Sequence, residues 1–407
     1  MKDMKIKSLF ILCIAILILL PSLNAQEVNT KIKKYEVGVY YFPNYHFDKR
    51  NETYFGKGWT EWKLIKEATP RFEGHQQPKV PLWGYTDEAD PKQMAQKIKA
   101  AATHGIDAFI FDWYYYEDGP FLERGLEEGF MKASNNKLLK FSLMWANHDW
   151  TDIHPYTAGK ERKLLYPGRI TPQTWDKMTD YIIEKYFKNA SYWLIDGAPY
   201  FSIYDLSKFI EIFGTIEGAA KGLEYFRLKT KAAGFKDLNI NAVVWGQTIL
   251  PGETITKDHV QIVQMLGFNS FTSYVWIHHV ALNSFPVNAY DSVKSEYFKY
   301  AESAATKFKI PYYPNVSMGW DASPRTNQAT KFDASGYPYM PIITGNTPLA
   351  FKRALIEART FMDKHLKKNK ILTINSWNEW SEGSYLEPDN INKMGYLEAI
   401  KDVFGNQ

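Results

Sequence analysis

The chain has 407 residues, 45% hydrophobic and 16% aromatic, with a formal net charge of +4 at pH 7. This length holds one large α/β barrel or two smaller domains, and a near-neutral balance without a basic block speaks against a nucleic-acid partner. The single cysteine, Cys13, lies in an N-terminal apolar run, so a chain lacking that run has no disulfide and no thiol nucleophile.

Residues 1–25 carry the pattern of a targeting segment. Lys2, Lys5 and Lys7 precede an apolar run from Leu9 to Leu20, then Pro21 and Leu23-Asn24-Ala25. The pattern predicts a secretory signal cleaved before Gln26, hence a periplasmic or secreted protein with no membrane attachment after cleavage. The run is short of the roughly 20 residues that a membrane span needs. Cys13 follows no small-residue box and is not read as a lipid site. Removing Lys2, Lys5, Lys7 and Asp3 lowers the charge from +4 to +2. Residues 26–407 contain no low-complexity linker and are expected to form one domain.

Taken in order, strands and helices alternate. Val37 to Pro43 reads as a first strand, followed by a long aromatic loop to about Asp90. Pro91 to His104 has apolar residues at helical spacing, Pro at its start and Gly105 at its end. Strand Ile106 to Trp113 runs into Asp112-Trp113-Tyr114-Tyr115-Tyr116. A helix around Phe121 to Ser134 precedes strand Leu139 to Trp145, which ends in Trp145-Ala146-Asn147-His148-Asp149-Trp150. Helix Thr171 to Lys188, strand Ala198 to Tyr204 and a helix near Glu217 to Ala233 follow. Next come strand Leu238 to Trp245, a short helix around Asp258 to Leu266, and strand Ser270 to Ile277. Helix Tyr290 to Phe308, strand Tyr312 to Met318, helix Pro348 to His365, strand Ile371 to about Trp377 and helix Met394 to Phe404 complete the chain.

Eight strands, each followed by a helix, predict a single (β/α)8 barrel with long βα loops. A doubly wound sheet is the alternative, but no Gly-rich phosphate loop follows the first strand. In such a barrel the active site lies at the C-terminal strand ends. There the sequence places Asp112, Trp113, Trp145, Asn147, Asp149, Asp205, Trp245, His278, Trp320, Asn378, Glu379 and Glu382. Asp112 and Asp205 suit sugar hydroxyls or the capping of the next turn equally well. His148, His278 and His279 lack metal-ligand spacing, so neither metal nor cofactor is expected. No Gly-x-Ser-x-Gly elbow supports serine chemistry.

The densest cluster is Asn375-Ser376-Trp377-Asn378-Glu379-Trp380-Ser381-Glu382-Gly383. In a continuing strand Glu379 and Glu382 would lie roughly 10 Å apart on opposite faces. In a helical turn their Cβ atoms would be about 5–6 Å apart. The second geometry approaches the roughly 5–5.5 Å between the carboxyl groups of retaining glycosidases.

These motifs, with Tyr40-Tyr41-Phe42-Pro43-Asn44-Tyr45-His46, Gly58-Trp59-Thr60-Glu61-Trp62 and Gly74-His75-Gln76-Gln77-Pro78, resemble the WbsX-like, glycoside hydrolase family 99-like proteins over about Val37 to Asp389. The resemblance implies a (β/α)8 barrel with endo-α-mannosidase-like chemistry on an oligo- or polysaccharide. It implies that Glu379 draws the proton from the substrate's 2-hydroxyl, forming a 1,2-anhydro sugar. Glu382 would protonate the leaving oxygen and then activate water. It brings Tyr41, Asn44, Trp59, Trp62 and Trp377 to the expected substrate-binding set and assigns Glu387 to the site wall. WbsX-like proteins are also labelled glycosyltransferases, so transfer remains an alternative, as does a glycan-binding barrel without catalysis. The export pattern and the absence of an Asp-x-Asp motif favour hydrolysis.

Overall fold

The computed structural model describes residues 34–256 and 258–405. The expected signal segment lies outside the described residues. Eight parallel strands form the core: β1 (Glu36–Tyr41), β2 (Ala108–Tyr116), β3 (Lys140–Trp145), β4 (Ala198–Ile203), β5 (Asn239–Val243), β6 (Ser270–Thr272), β7 (Tyr312–Tyr313 and Asn315–Ser317) and β8 (Ile371–Asn375). Pro314 divides β7 because proline has no N–H to give the ladder. One half of β7 pairs with β6 and the other with β8, which pairs with β1, so the sheet closes on itself. The expected (β/α)8 barrel is therefore the architecture of the chain.

The helices pack outside. Pro91–Thr103 starts with Asp90 accepting from the Lys92 N–H and Pro at its first position, where no N–H is missed. Pro172–Ile182, capped by Thr171, and Pro348–His365, capped by Thr347, repeat the device. Both strand faces are covered, which is why β2 reads Ala-Phe-Ile-Phe-Asp-Trp-Tyr-Tyr-Tyr with no polar face.

Four expectations change. The segment expected as helix 121–134 instead returns along β2 as Gly119–Phe121 and then makes one wide turn, Gly125–Phe130. β6 stops at Thr272 rather than Ile277, because Trp276–His278 forms a tight turn over the barrel mouth. Helix Leu206–Phe213, opened by Asp205, was not foreseen. The aromatic loop after β1 contains two short helices, Lys49–Phe55 and Trp62–Glu67.

Inside the barrel, strand alternation sets what faces the lumen. Ser202, Asn241, Ser270, Thr272, Asn315 and Thr373 are buried there and bond to one another, as in Thr272 Oγ1 to Thr373 Oγ1 at 3.0 Å and Asn241 Nδ2 to Ser270 Oγ at 2.9 Å. The polar lumen forms a hydrogen-bonded floor beneath the strand ends.

The loop after β1 is fixed by Glu88, which accepts from the Tyr45 N–H at 2.7 Å and lies 2.8 Å from His46 Nδ1. Gly129 of the wide turn passes so close that a Cβ there would stand 2.0 Å from the Glu88 carbonyl oxygen. Gly129→Ala should therefore destabilise the fold by roughly 1–3 kcal/mol through overpacking. Urea unfolding measures this, and an unchanged midpoint would contradict the packing described.

Candidate active site

At the C-terminal ends of the strands lies a cavity of about 680 Å³, counting its open mouth. Its floor comes from inward positions at strand ends: Asp112 of β2, Met144 of β3, Tyr204 after β4 and Tyr274 after β6. Its walls come from loops, with Trp150 and His154 after β3, Leu250 after β5, and Trp320 and Arg325 after β7. Glu379 and Glu382 enter from the end of β8.

Beyond Asn375 the chain leaves the barrel direction. Asn378–Glu379 pairs antiparallel with Ser384–Tyr385, and Trp380–Glu382 makes one tight helical turn between them. Gly383 closes it at φ +63°, where a Cβ would lie 2.6 Å from Asp321 Cβ. This turn brings side chains i and i+3 onto one side, so both carboxyl groups line one cavity.

Their surroundings differ. Glu382 Oε1 accepts from Arg325 Nη1 and from the Tyr337 hydroxyl, the latter at 2.8 Å. Among the described residues Glu379 Oε2 accepts only a long bond, 3.3 Å, from Asn375 Nδ2, and its backbone N–H donates to Ser376 Oγ. Arg325 is itself anchored, with Nε and Nη2 donating to Glu61 Oε1 at 3.0 and 2.8 Å. Ser381 Oγ donates to the same oxygen, and Asn44 Nδ2 donates to Glu61 Oε2 at 2.5 Å.

Burial dominates the electrostatics. It pushes Glu379 well above the usual carboxylate range, helped by the negative charges of Glu382 and Asp112. Burial raises Glu382 as well, but Arg325 and the Tyr337 hydroxyl pull it back, leaving a smaller rise. Asp112 is driven well up by burial against the opposing 2.7 Å bond from the Tyr274 hydroxyl. For Glu61 burial is outweighed by Arg325, His154 and Ser381, which hold it below the usual range. Burial lowers His154 to about 4, so its imidazole is neutral at pH 7. Among the described residues Arg325 is the permanent cation that touches Glu61 and Glu382, an arrangement that favours protons on Glu379 and Asp112, which it does not touch.

Of the residues expected from sequence, Asp112, Asp149, His278, Trp320, Glu379 and Glu382 line this cavity. Asp149 is held by Lys208 Nζ at 3.0 Å and the Gly168 N–H at 2.9 Å. The others fall elsewhere, for reasons of geometry. Tyr41, Trp113 and Trp145 occupy outward strand positions, against Phe111, Tyr186 and Trp175 respectively. Asn147 spans β3 and β4, accepting from the Asp205 N–H and donating to its carbonyl, while Asp205 caps the following helix. Asn378 makes the same clamp on Phe42 at the end of β1. Trp245 stands behind Tyr204 and His278. Trp59 packs on Phe55, and Trp62 on Tyr45 and Trp380, both behind the wall. Trp377 packs on Phe109 and donates to Glu387. Asn44 reaches the site through Glu61.

Sequence reading missed Arg325, Tyr337, Tyr274 and His154. Glu61 sat inside the quoted Gly-Trp-Thr-Glu-Trp stretch, and an acid between two tryptophans was the available signal. Arg325 follows Asp321-Ala322-Ser323-Pro324 in a loop with no periodicity to mark it.

A profile of the family described as "Glycosyltransferase WbsX" matches residues 37–400. The chain belongs to the WbsX family. Among curated proteins it is similar to "Uncharacterized protein WxcX" of Xanthomonas campestris pv. campestris strain B100, at 26% identity over 386 residues, covering 90% of this chain and 49% of that protein. The chain therefore spans about half the length of the curated relatives it matches. Among solved structures it is similar to the GH99 endo-alpha-mannosidase of Bacteroides thetaiotaomicron, with TM-score 0.52 and 15% identity over 90% of this chain and 96% of that one. A protein described as "Glycoside hydrolase-like protein" gives TM-score 0.55 and 15% identity, over 91% and 94%. At these identities the two structures establish a shared barrel fold for this WbsX-family chain.

Glu387 was expected in the site wall, yet it accepts from Trp377 Nε1 at 3.1 Å, Trp380 Nε1 at 2.7 Å and Lys97 Nζ at 2.6 Å, all of them buried. Glu387→Ala should strand a buried ammonium and two indole N–H groups, costing roughly 3–5 kcal/mol. Chemical denaturation checks this. Full stability with altered ligand affinity would return Glu387 to the substrate surface.

Proposed function

We propose that this WbsX-family protein is an exported glycoside hydrolase, endo-acting and retaining, on an α-linked, mannoside-like glycan. The observation that carries the reading is the turn after β8, which presents Glu379 and Glu382 three residues apart to one cavity while Arg325 touches only the second. Two carboxyl groups of unequal acidity at one site are what acid–base cleavage of a glycosidic bond requires. The N-terminal targeting pattern supports export, away from cytoplasmic nucleotide sugars.

In the first step the Glu379 carboxylate takes the proton of the 2-hydroxyl. O2 attacks the anomeric carbon from the face opposite the leaving group, and the glycosidic oxygen departs as an alcohol protonated by Glu382. In the second step the Glu382 carboxylate takes a proton from water, which attacks the anomeric carbon. The three-membered ring opens and O2 recovers its proton from Glu379. Two inversions give net retention. In the empty cavity burial raises Glu379 further than Glu382, because Arg325 stabilises the charge on Glu382. The proposed roles require that a 2-hydroxyl donating to Glu379 stabilise its carboxylate and leave the acid proton to Glu382.

Each of Glu379→Gln and Glu382→Gln should lower turnover by about two to four orders of magnitude, the size of a lost general acid or base. An activated leaving group should partly rescue Glu382→Gln alone. Rescue of Glu379→Gln instead would exchange the two roles. Substrate is sought by incubating the protein with plant, fungal and bacterial glycans, with proton NMR of the first-formed product. An inverted anomer would refute the mechanism. The family description keeps glycosyl transfer as the second reading, and turnover of a nucleotide sugar without glycan cleavage would establish it.

A further inference from the structure

A second opening, of about 1110 Å³ counting its mouth, adjoins the first on the same face of the barrel. It is formed by the loops after β1, β7 and β8. Trp320 is the wall common to both cavities. Its indole is 2% exposed, and its Nε1–H has no acceptor among the described residues.

The floor of this opening is tied to the catalytic turn. Buried Asp321 accepts from Gln77 Nε2 at 2.7 Å and lies 2.9 Å from His75 Nε2. His75 Nδ1 accepts from the Arg71 N–H at 3.0 Å, so Nε2 carries the ring proton and donates to Asp321. The Asp321 N–H in turn donates to the Glu382 carbonyl at 2.6 Å. Around this fixed floor the lining is mixed: half-buried Phe72 offers ring surface above the nearly buried edges of Tyr385 and Tyr396, while Gln76, Lys79 and Asn392 offer donors. Gln76 is exposed, and Lys79 has no ion-pair partner among the described residues. Flat rings edged by amide and ammonium donors suit a sugar ring, which has apolar faces and a hydroxyl rim.

We infer that the second opening is a subsite for a further sugar residue of the same glycan, so that the bound chain crosses Trp320 and only one side of it meets Glu379 and Glu382. This rests on the hydrolase reading for the identity of the glycan. It makes the protein a reader of chain length, with affinity gained from a residue remote from the cleaved bond.

The test uses yeast α-mannan oligosaccharides of two and four residues, titrated calorimetrically into the full chain and into Gln76→Ala/Lys79→Ala, whose rim positions leave the buried floor intact. The wild type should bind the tetrasaccharide about tenfold more tightly than the disaccharide, a gain of roughly 1.4 kcal/mol. The double variant should lose that gain and keep its disaccharide affinity. Equal affinity for both lengths, a gain that survives the double substitution, or no binding of either sugar would overturn the subsite. Cleavage assayed in parallel separates the two claims. A length-dependent gain without cleavage would leave the subsite standing and remove the hydrolase reading, whereas cleavage without the gain would do the reverse.

Discussion

The site depends on one buried guanidinium. Arg325 holds Glu61 with two of its nitrogens and Glu382 with a third, and all three side chains are nearly inaccessible. An ion pair removed from water repays its desolvation only when its hydrogen bonds are complete. Here Ser381, Asn44 and Tyr337 complete them. The cluster joins three loops distant in sequence, from positions 61, 325 and 382, so the electrostatics of the cavity and the placement of its walls are one problem. With Arg325 committed to Glu61 and Glu382, Asp112 and Glu379 have no cation of their own among the described residues, and burial keeps both protonated to higher pH than free carboxyl groups.

Much of the polar chemistry around the cavity supports rather than faces it. Asn147 and Asn378 each span two segments at the barrel mouth by accepting from a backbone N–H and donating to a carbonyl of the same partner residue. Glu88 and Glu387 are acids sealed behind the wall by buried donors. Such residues hold the first turn beyond each strand in one position, and general acid–base chemistry depends on that placement.

The barrel was legible because its strands are short apolar runs bounded by punctuated helices, and the i, i+3 spacing of Glu379 and Glu382 was legible once a turn was supposed there. The direction of individual side chains was not. In Phe109-Ile110-Phe111-Asp112-Trp113 every residue is buried, so no polar alternation shows which positions face the lumen. Asp112 and Trp113 looked equivalent, yet strand geometry sends one into the cavity and the other against Tyr186. Arg325 was hidden for another reason. It sits in a loop without period, and its meaning comes from Glu61, 264 positions away. Helix 121–134 failed because Gly125 and Gly129 serve a close packing against Glu88 that apolar spacing does not record.

If Glu379 and Glu382 cleave a glycan as proposed, water enters the glycosidic bond at that pair. The most direct test is to incubate the protein with a mixed glycan panel in water enriched in oxygen-18 and to weigh the products by mass spectrometry. One heavy oxygen should appear at each new reducing end, and none when both glutamates are replaced by glutamine. Unlabelled glycans across the panel, or equal labelling by the doubly substituted protein, would contradict it.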